Sequence, residues 1–209
     1  MNDATHRAAW ERTWTGLGAS PPDARAYDAL LAAYAEPHRA YHTRQHLDDC
    51  LAQARQARTL CEHPDEVALA LWYHDAIYRP RRSDNEARSA DWLARDAEMA
   101  GVAPASIDRL RALVLATLHD AHPVAPDTRV LVDIDLSILG APAERFDEYE
   151  RQVRREYRWV PQLLYRRGRA KVLDEFLNRS RIYSTDDFAD RLENVARANL
   201  TRSLAQLRG

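Results

Sequence analysis

Leu69-Ala70-Leu71-Trp72-Tyr73-His74-Asp75-Ala76-Ile77-Tyr78 is the stretch on which the reading of this chain turns. Apart from His74 and Asp75 it is apolar or aromatic all round a helical wheel, so it reads as a helix buried on every side. An imidazole and a carboxylate placed side by side in such a segment are costly to bury unless something binds them. A divalent metal ion would do so. Successive helical residues differ by about 100° in azimuth, so His74 and Asp75 can address one ion lodged against the flank.

Further ligands exist on both sides. Upstream, in Tyr41-His42-Thr43-Arg44-Gln45-His46-Leu47, Thr43 is a capping residue and places His46 in the first turn of the next helix. His38 and His42 precede it at four-residue steps, but Pro37 and the cap at Thr43 put them in the loop ahead. There they are better placed to meet a substrate than a buried ion. Downstream, Asp133 and Asp135 lie in Val130-Leu131-Val132-Asp133-Ile134-Asp135-Leu136-Ser137-Ile138-Leu139-Gly140. On a helix they are about 200° apart, so one of them faces the site. Asp135 shares a face with Leu131, Ile138 and Leu139, and a charge on that apolar stripe needs the metal. Asp133, beside Arg129, Val130 and Ser137, is expected at the surface, paired with Arg129 or with the next helix. Two imidazoles and two carboxylates suit one divalent ion of manganese, iron, cobalt, nickel, zinc or magnesium. They leave positions for water and a phosphate oxygen.

The order His46…His74-Asp75…Asp135 resembles the HD superfamily of metal-dependent phosphohydrolases. The likeness extends to Tyr41-His42-Thr43, Trp72-Tyr73-His74-Asp75-Ala76-Ile77-Tyr78, Asp84-Asn85-Glu86…Ser89 and Asp133-Ile134-Asp135-Leu136-Ser137-Ile138-Leu139-Gly140-Ala141. With Val153-Arg154-Arg155-Glu156-Tyr157 and Gly168-Arg169…Phe176-Leu177, these segments are similar to a small bacterial family of predicted HD phosphohydrolases, over most of the chain. The resemblance implies a helical HD-type fold in which His46, His74, Asp75 and Asp135 bind a catalytic divalent ion. It implies hydrolysis of a small phosphate ester, a nucleotide among the candidates, by a metal-activated water. Members with two metals carry more histidines between the His-Asp pair and the last aspartate. Only His119 and His122 stand there in this chain, three residues apart, so one ion is expected.

Around the ion, Asp75 has a catalytic as well as a ligand role, and Glu86 or Asp84 is a candidate to protonate the leaving oxygen or orient the water. Ser83-x-x-Glu86 is equally a capping box opening the next helix. His42, Arg39, Arg79 and His119 are the candidate contacts for a phosphate, Arg39 and Arg79 by proximity to the metal helix and His119 at the end of a helix with Ala112, Leu115 and Ala116 on its inner face. The arginines of 151–158 and 166–169 read mostly as solvated face, although guanidinium forks suit phosphate. Trp10, Trp14, Trp72, Trp92 and Trp159 read as core.

Helical periodicity runs through nearly the whole chain, with helices expected over about 4–15, 23–36, 43–62, 65–78, 84–100, 105–120, 127–138, 143–159, 161–178 and 185–208. The expected architecture is therefore all-α, a single domain over 1–209, with a metal-motif core at about 38–140 and C-terminal helices at about 143–208. At 209 residues the chain suffices for one core. A formal net charge of −2 gives no electrostatic reason to expect a nucleic-acid partner. Cys50 and Cys61 would sit about 16 Å apart on one helix, too far for a disulfide, which points to reduced thiols and a cytoplasmic protein. The amino terminus has no apolar signal core and no segment is apolar enough to span a bilayer. The sequence leaves a homo-oligomer open. Rival expectations are an iron oxygenase on the same scaffold, which generally needs two irons and extra histidines, and a sensor that binds metal and nucleotide without turnover.

Overall fold

A computed structural model describes residues 3–23, 25–119 and 123–209. Among the described residues there are α-helices and short 3-10 turns and no strand, so the chain is all-α. The helices are α1 (Asp3–Gly16), α2 (Ala26–Tyr34), α3 (Arg44–Gln56), α4 (Pro64–Tyr73) and α5 (Asn85–Met99), then α6 (Pro104–Leu115), α7 (Pro126–Asp135), α8 (Ala143–Glu156), α9 (Gln162–Leu177) and α10 (Asp186–Arg208). No helix among the described residues is long and apolar enough to cross a membrane. Two compact units emerge, Met1–Val132 and Asp133–Gly209, and the division falls inside α7.

In the first unit α4 is the hub, packed by α1, α3, α5 and α6. Its sequence demands this, because Val67, Leu69, Ala70, Leu71, Trp72 and Tyr73 are all buried and leave no apolar face to spare. Pro64 opens α4 without forfeiting a hydrogen bond, and Asp65 and Glu66 favour its positive end. Its start is also held from outside: the Asp127 carboxylate accepts from the backbone N–H of Glu62 at 2.7 Å and of His63 at 2.9 Å. Gly101, at φ +74°, ends α5 in the left-handed conformation that glycine adopts without strain.

Several expected boundaries move. The helix expected over 43–62 stops at Gln56 and gives way to a 3-10 turn at Arg58–Leu60, so Cys61 lies outside it; both cysteines are free thiols. The helix expected over 65–78 stops at Tyr73, with His74 as its C-cap. On α6 the buried residues are Ile107, Leu110, Leu113 and Val114, whereas Leu115 is exposed, so the inner face differs from the one read in the sequence. Trp10, Trp14 and Trp72 are core as expected; Trp159 is 47% exposed.

In the second unit α10 packs on α9 and on the 3-10 turn Leu136–Gly140, which also meets α8. Gly140 permits that approach: a Cβ there would lie 2.7 Å from the Leu192 Cβ and 3.0 Å from the Leu192 carbonyl oxygen. Asn199 donates to the carbonyls of Leu139 at 3.0 Å and Ala141 at 2.8 Å, fixing the turn against α10.

Candidate metal centre

Thr43 begins α3 in extended geometry, and its hydroxyl accepts from the Gln45 N–H at 3.3 Å, as the sequence suggested. This cap sets the phase of the helix. His46, Leu47, Cys50 and Leu51 then form its buried face, and His46 is presented from the first turn toward the end of α4.

The end of α4 is shaped by residues distant in sequence. A helix leaves its last carbonyls without helical partners, and here each finds another donor. The Trp72 carbonyl accepts from the Tyr34 hydroxyl at 3.2 Å, that of Leu71 faces His74 Nδ1 at 2.8 Å, and that of Tyr73 accepts from the Ala76 N–H at 2.9 Å. Arg39 supplies the rest. Its side chain is fully buried and donates to the carbonyls of Asp75 at 2.7 Å, Ala76 at 3.0 Å and His42 at 3.1 Å. Its remaining donors meet Glu36 at 3.2 Å. A guanidinium has five N–H groups, and all five are committed. Arg39, expected from the sequence to contact a phosphate, is placed as a strut for the turn that carries Asp75.

Because the Leu71 carbonyl can only accept, His74 Nδ1 carries a proton, and Nε2 is the nitrogen turned toward the cluster. His74 Nε2 lies 3.1 Å from His46 Nε2 and 3.1 Å from Asp75 Oδ2; His46 Nε2 lies 3.4 Å from the same oxygen. Two ligand atoms each about 2.1 Å from one ion are about 3.0 Å apart at a right angle and about 3.4 Å at the tetrahedral angle. The three spacings are those of neighbouring ligands on one cation. His46 and His74 are 3% and 1% exposed, so both imidazoles are buried, while the Asp75 side chain keeps some exposure.

Burial pushes the Asp75 carboxyl up, but charge on His74 and His42 and hydrogen bonds from His46 and His74 outweigh it. Asp75 is therefore held well below the usual carboxylate range and stays an anion, which is the form a metal ligand needs. Cys50, one turn after His46, places its Sγ 3.7 Å from His46 Nδ1 and 3.8 Å from Nε2. His46, Cys50 and His74 are buried, offer ligand atoms within 4.8 Å of one another, and could hold a metal ion. The sequence reading missed the thiol, although the four-residue step from His46 on one helix face was a legible signal.

Compared with known proteins, the chain matches no family model, no curated protein and no solved structure.

Asp133 overturns one expectation. It is fully buried, not at the surface, and accepts at 2.7 Å from the N–H of Ser184, the N–H of Thr185 and the Thr185 hydroxyl. It caps the start of α10. Asp135, the last residue of α7, is half-buried. Val130, Leu131, Val132, Asp133 and Ile134 are all buried, so this part of α7 has no single apolar stripe and the argument that selected Asp135 by facing does not apply.

Among the outer residues, His42 is half-buried and stacks on Tyr78 with ring centroids 4.0 Å apart; its ring centroid is 5.9 Å from that of His46. Arg79 is about half exposed at its side chain and pairs with Glu36 at 2.7 Å. Asp84 is the N-cap of α5, displacing the expected Ser83, and its carboxylate is taken by Arg82 at the surface. Glu86 is half-buried in the first turn of α5. His119 ends a 3-10 turn with φ +55°, a left-handed backbone unusual outside glycine. His122 lies outside the described residues. Asn85 and Ser89, read in the sequence only as part of a motif, pin the turn that follows Asp75. Asn85 bridges the N–H and carbonyl of Arg79 at 3.1 and 3.0 Å, and the Ser89 hydroxyl accepts from the Ile77 N–H at 3.0 Å.

Proposed function

We propose that this chain is a metal-dependent phosphohydrolase with one divalent ion held by His46, His74, Asp75 and Asp135. The observation that carries the reading is the 3.1–3.4 Å triangle of His46 Nε2, His74 Nε2 and Asp75 Oδ2. Its donor set of two neutral imidazoles and an ionised carboxylate fits a borderline divalent cation and keeps positions open. Asp135 is the further ligand that the resemblance implies, and Asp133 is no rival for it, since both its oxygens accept from Ser184 and Thr185. Cys50 is left as a neighbour of His46, where a thiolate ligand would instead favour zinc in a closed structural site.

When bound, such an ion supplies hydroxide near neutral pH and polarises a phosphoryl oxygen. The protein's own share is orientation and proton handling. Arg39 fixes the backbone of Asp75, and the Leu71 carbonyl fixes the tautomer of His74. His42, stacked on Tyr78 beside His46, supplies a donor for the non-reacting oxygens of a phosphate ester, whereas Arg79 is already paired with Glu36. Glu86 is the carboxylate offered to the leaving oxygen, because Asp84 is already matched by Arg82.

The test is elemental analysis of the purified protein, followed by a phosphatase screen over nucleotides and sugar phosphates on metal-stripped protein with several divalent ions restored. One bound equivalent and ion-dependent phosphate release are expected. A protein that takes up no ion at millimolar supply would overturn the reading. Tight nucleotide binding with one ion but no release would favour the sensor, and two irons with an oxygen-dependent spectrum would favour the oxygenase.

A further inference from the structure

The second unit contains a cleft of 750 Å³ walled by α8, α9 and α10 and lined by Arg151, Arg154, Arg155 and Arg166 together with Asp147, Glu150 and Tyr165. Its volume falls within the range of about 300–1,000 Å³ typical of small-molecule sites.

The charges in this cleft do not cancel. Asp147 is matched by Arg202 at 2.6 Å, and Glu150 is bound to Arg169 and also accepts from the Ser203 hydroxyl. Neither carboxylate therefore answers the four guanidinium groups of the lining. Arg154 is positioned entirely by neutral acceptors: Gln162 Oε1 at 3.0 Å and the carbonyls of Tyr157 at 2.6 Å and Val160 at 3.1 Å. Its guanidinium lies over the Tyr165 ring, 4.6 Å from the centroid, so it is rigid and still carries its full charge. Arg166 reaches the Leu207 carbonyl at 2.6 Å, at the negative end of α10. Arg151 and Arg155 stand one turn apart on α8, exposed, with no ion-pair partner among the described residues. Like charges at that spacing repel, and a bound anion would relieve the repulsion.

A second observation concerns Tyr165. The residue is 9% exposed, and its buried hydroxyl has no hydrogen-bond partner among the described residues. The wall of the cleft thus holds one donor that the protein does not use.

The geometry points to this cleft as a binding site for a small polyanion with at least two adjacent phosphate groups, either an inorganic polyphosphate or the phosphate tail of a nucleotide. Arg151 and Arg155 supply mobile bidentate forks, and Arg154 supplies a fixed one. A lone phosphate could engage one fork; a chain of phosphates spans them. The inference does not rest on the metal centre, because every residue it uses belongs to the second unit.

The experiment is calorimetric titration of the full chain with sodium tripolyphosphate, under a chelator that keeps divalent ions off the histidines. Parallel titrations use inorganic phosphate, a nucleoside triphosphate and a short single-stranded RNA. Saturable one-to-one binding of tripolyphosphate is expected, weakening steeply with salt. The double variant R151Q/R155Q is expected to bind roughly tenfold or more weakly, and His74→Ala to bind as the parent does. If the triphosphate binds more tightly than tripolyphosphate, the natural ligand is a nucleotide; the reverse order assigns an inorganic polyphosphate. Absence of saturable binding overturns the proposal. So does a double variant that binds unchanged, loss of binding in His74→Ala, or RNA preferred over every small anion. Should the double variant fold poorly, the single variant Arg155→Gln carries the test, with an expected loss of severalfold, and unchanged binding there counts equally against it.

Discussion

The histidine cluster at the ends of α3 and α4 and the arginine cleft of α8, α9 and α10 concentrate charge in opposite ways. In the first, the supporting polar groups are matched inside the protein: Arg39 has no donor left, and the carbonyls closing α4 each have a partner. What converges at its centre is two imidazole nitrogens and a carboxylate oxygen, a set that could hold a cation. In the second, the carboxylates are matched by arginines outside the lining, and no carboxylate among the described residues pairs with the guanidinium groups inside it. A group of like-signed atoms held by a matched surround marks a site, whereas charge alone marks surface.

The sharpest way to break this contrast is His74→Ala. Metal content is expected to fall from about one equivalent to a small residue, because removal of one of few ligands costs most of the affinity of a preformed site. Full retention in elemental analysis would refute the cation half of the comparison. Next comes the pair on α7. Asp133→Ala removes three buried charge-assisted hydrogen bonds and is expected to destabilise the fold by roughly 3 kcal/mol in chemical denaturation while metal content stays. Asp135→Ala is expected to lower metal content with a smaller loss of stability, and the reverse pattern would exchange the two roles. Arg39→Ala is expected to cost about 2 kcal/mol and weaken metal retention by releasing the Asp75 backbone, while Arg79→Ala, a half-exposed pair with Glu36, costs about 0.5 kcal/mol. Equal effects would mean that Arg39 is no strut. The smallest effect belongs to R151Q/R155Q, expected to leave stability within about 0.5 kcal/mol, since exposed arginines without partners contribute little to the fold. A large drop in the melting temperature would make them structural.

Much of the fold was legible because the helices carry their own signals: Thr43 and Thr185 before α3 and α10, Gly101 after α5, Pro64 at the start of α4. The ends that moved did so for tertiary reasons. The apolar pattern does not stop a helix at Tyr73, where Ala76, Ile77 and Tyr78 continue the run; the carbonyls that would carry it on are met by other groups, that of Leu71 by His74 Nδ1, that of Trp72 by the Tyr34 hydroxyl and that of Tyr73 by the Ala76 N–H. His46 and His74 were legible as ionisable groups in apolar surroundings, and the structure brings them together in a buried cluster that could hold a metal ion. The carboxylates of α7 were not, because period analysis presumes one buried face and this part of α7 is buried almost all round. Asp133 satisfies its charge with backbone N–H groups fifty residues away, a solution that spacing cannot reveal.

The bonds that close α4 have a consequence for motion. Asp127 holds the backbone ahead of it and Tyr34 and Arg39 hold its far end, all from elsewhere in the chain. Such a helix cannot fray from either tip without first releasing its neighbours. Its amide protons are therefore expected to exchange with deuterium only when the first unit unfolds cooperatively, so that the segment bearing the histidine is also the slowest to trade hydrogen with water.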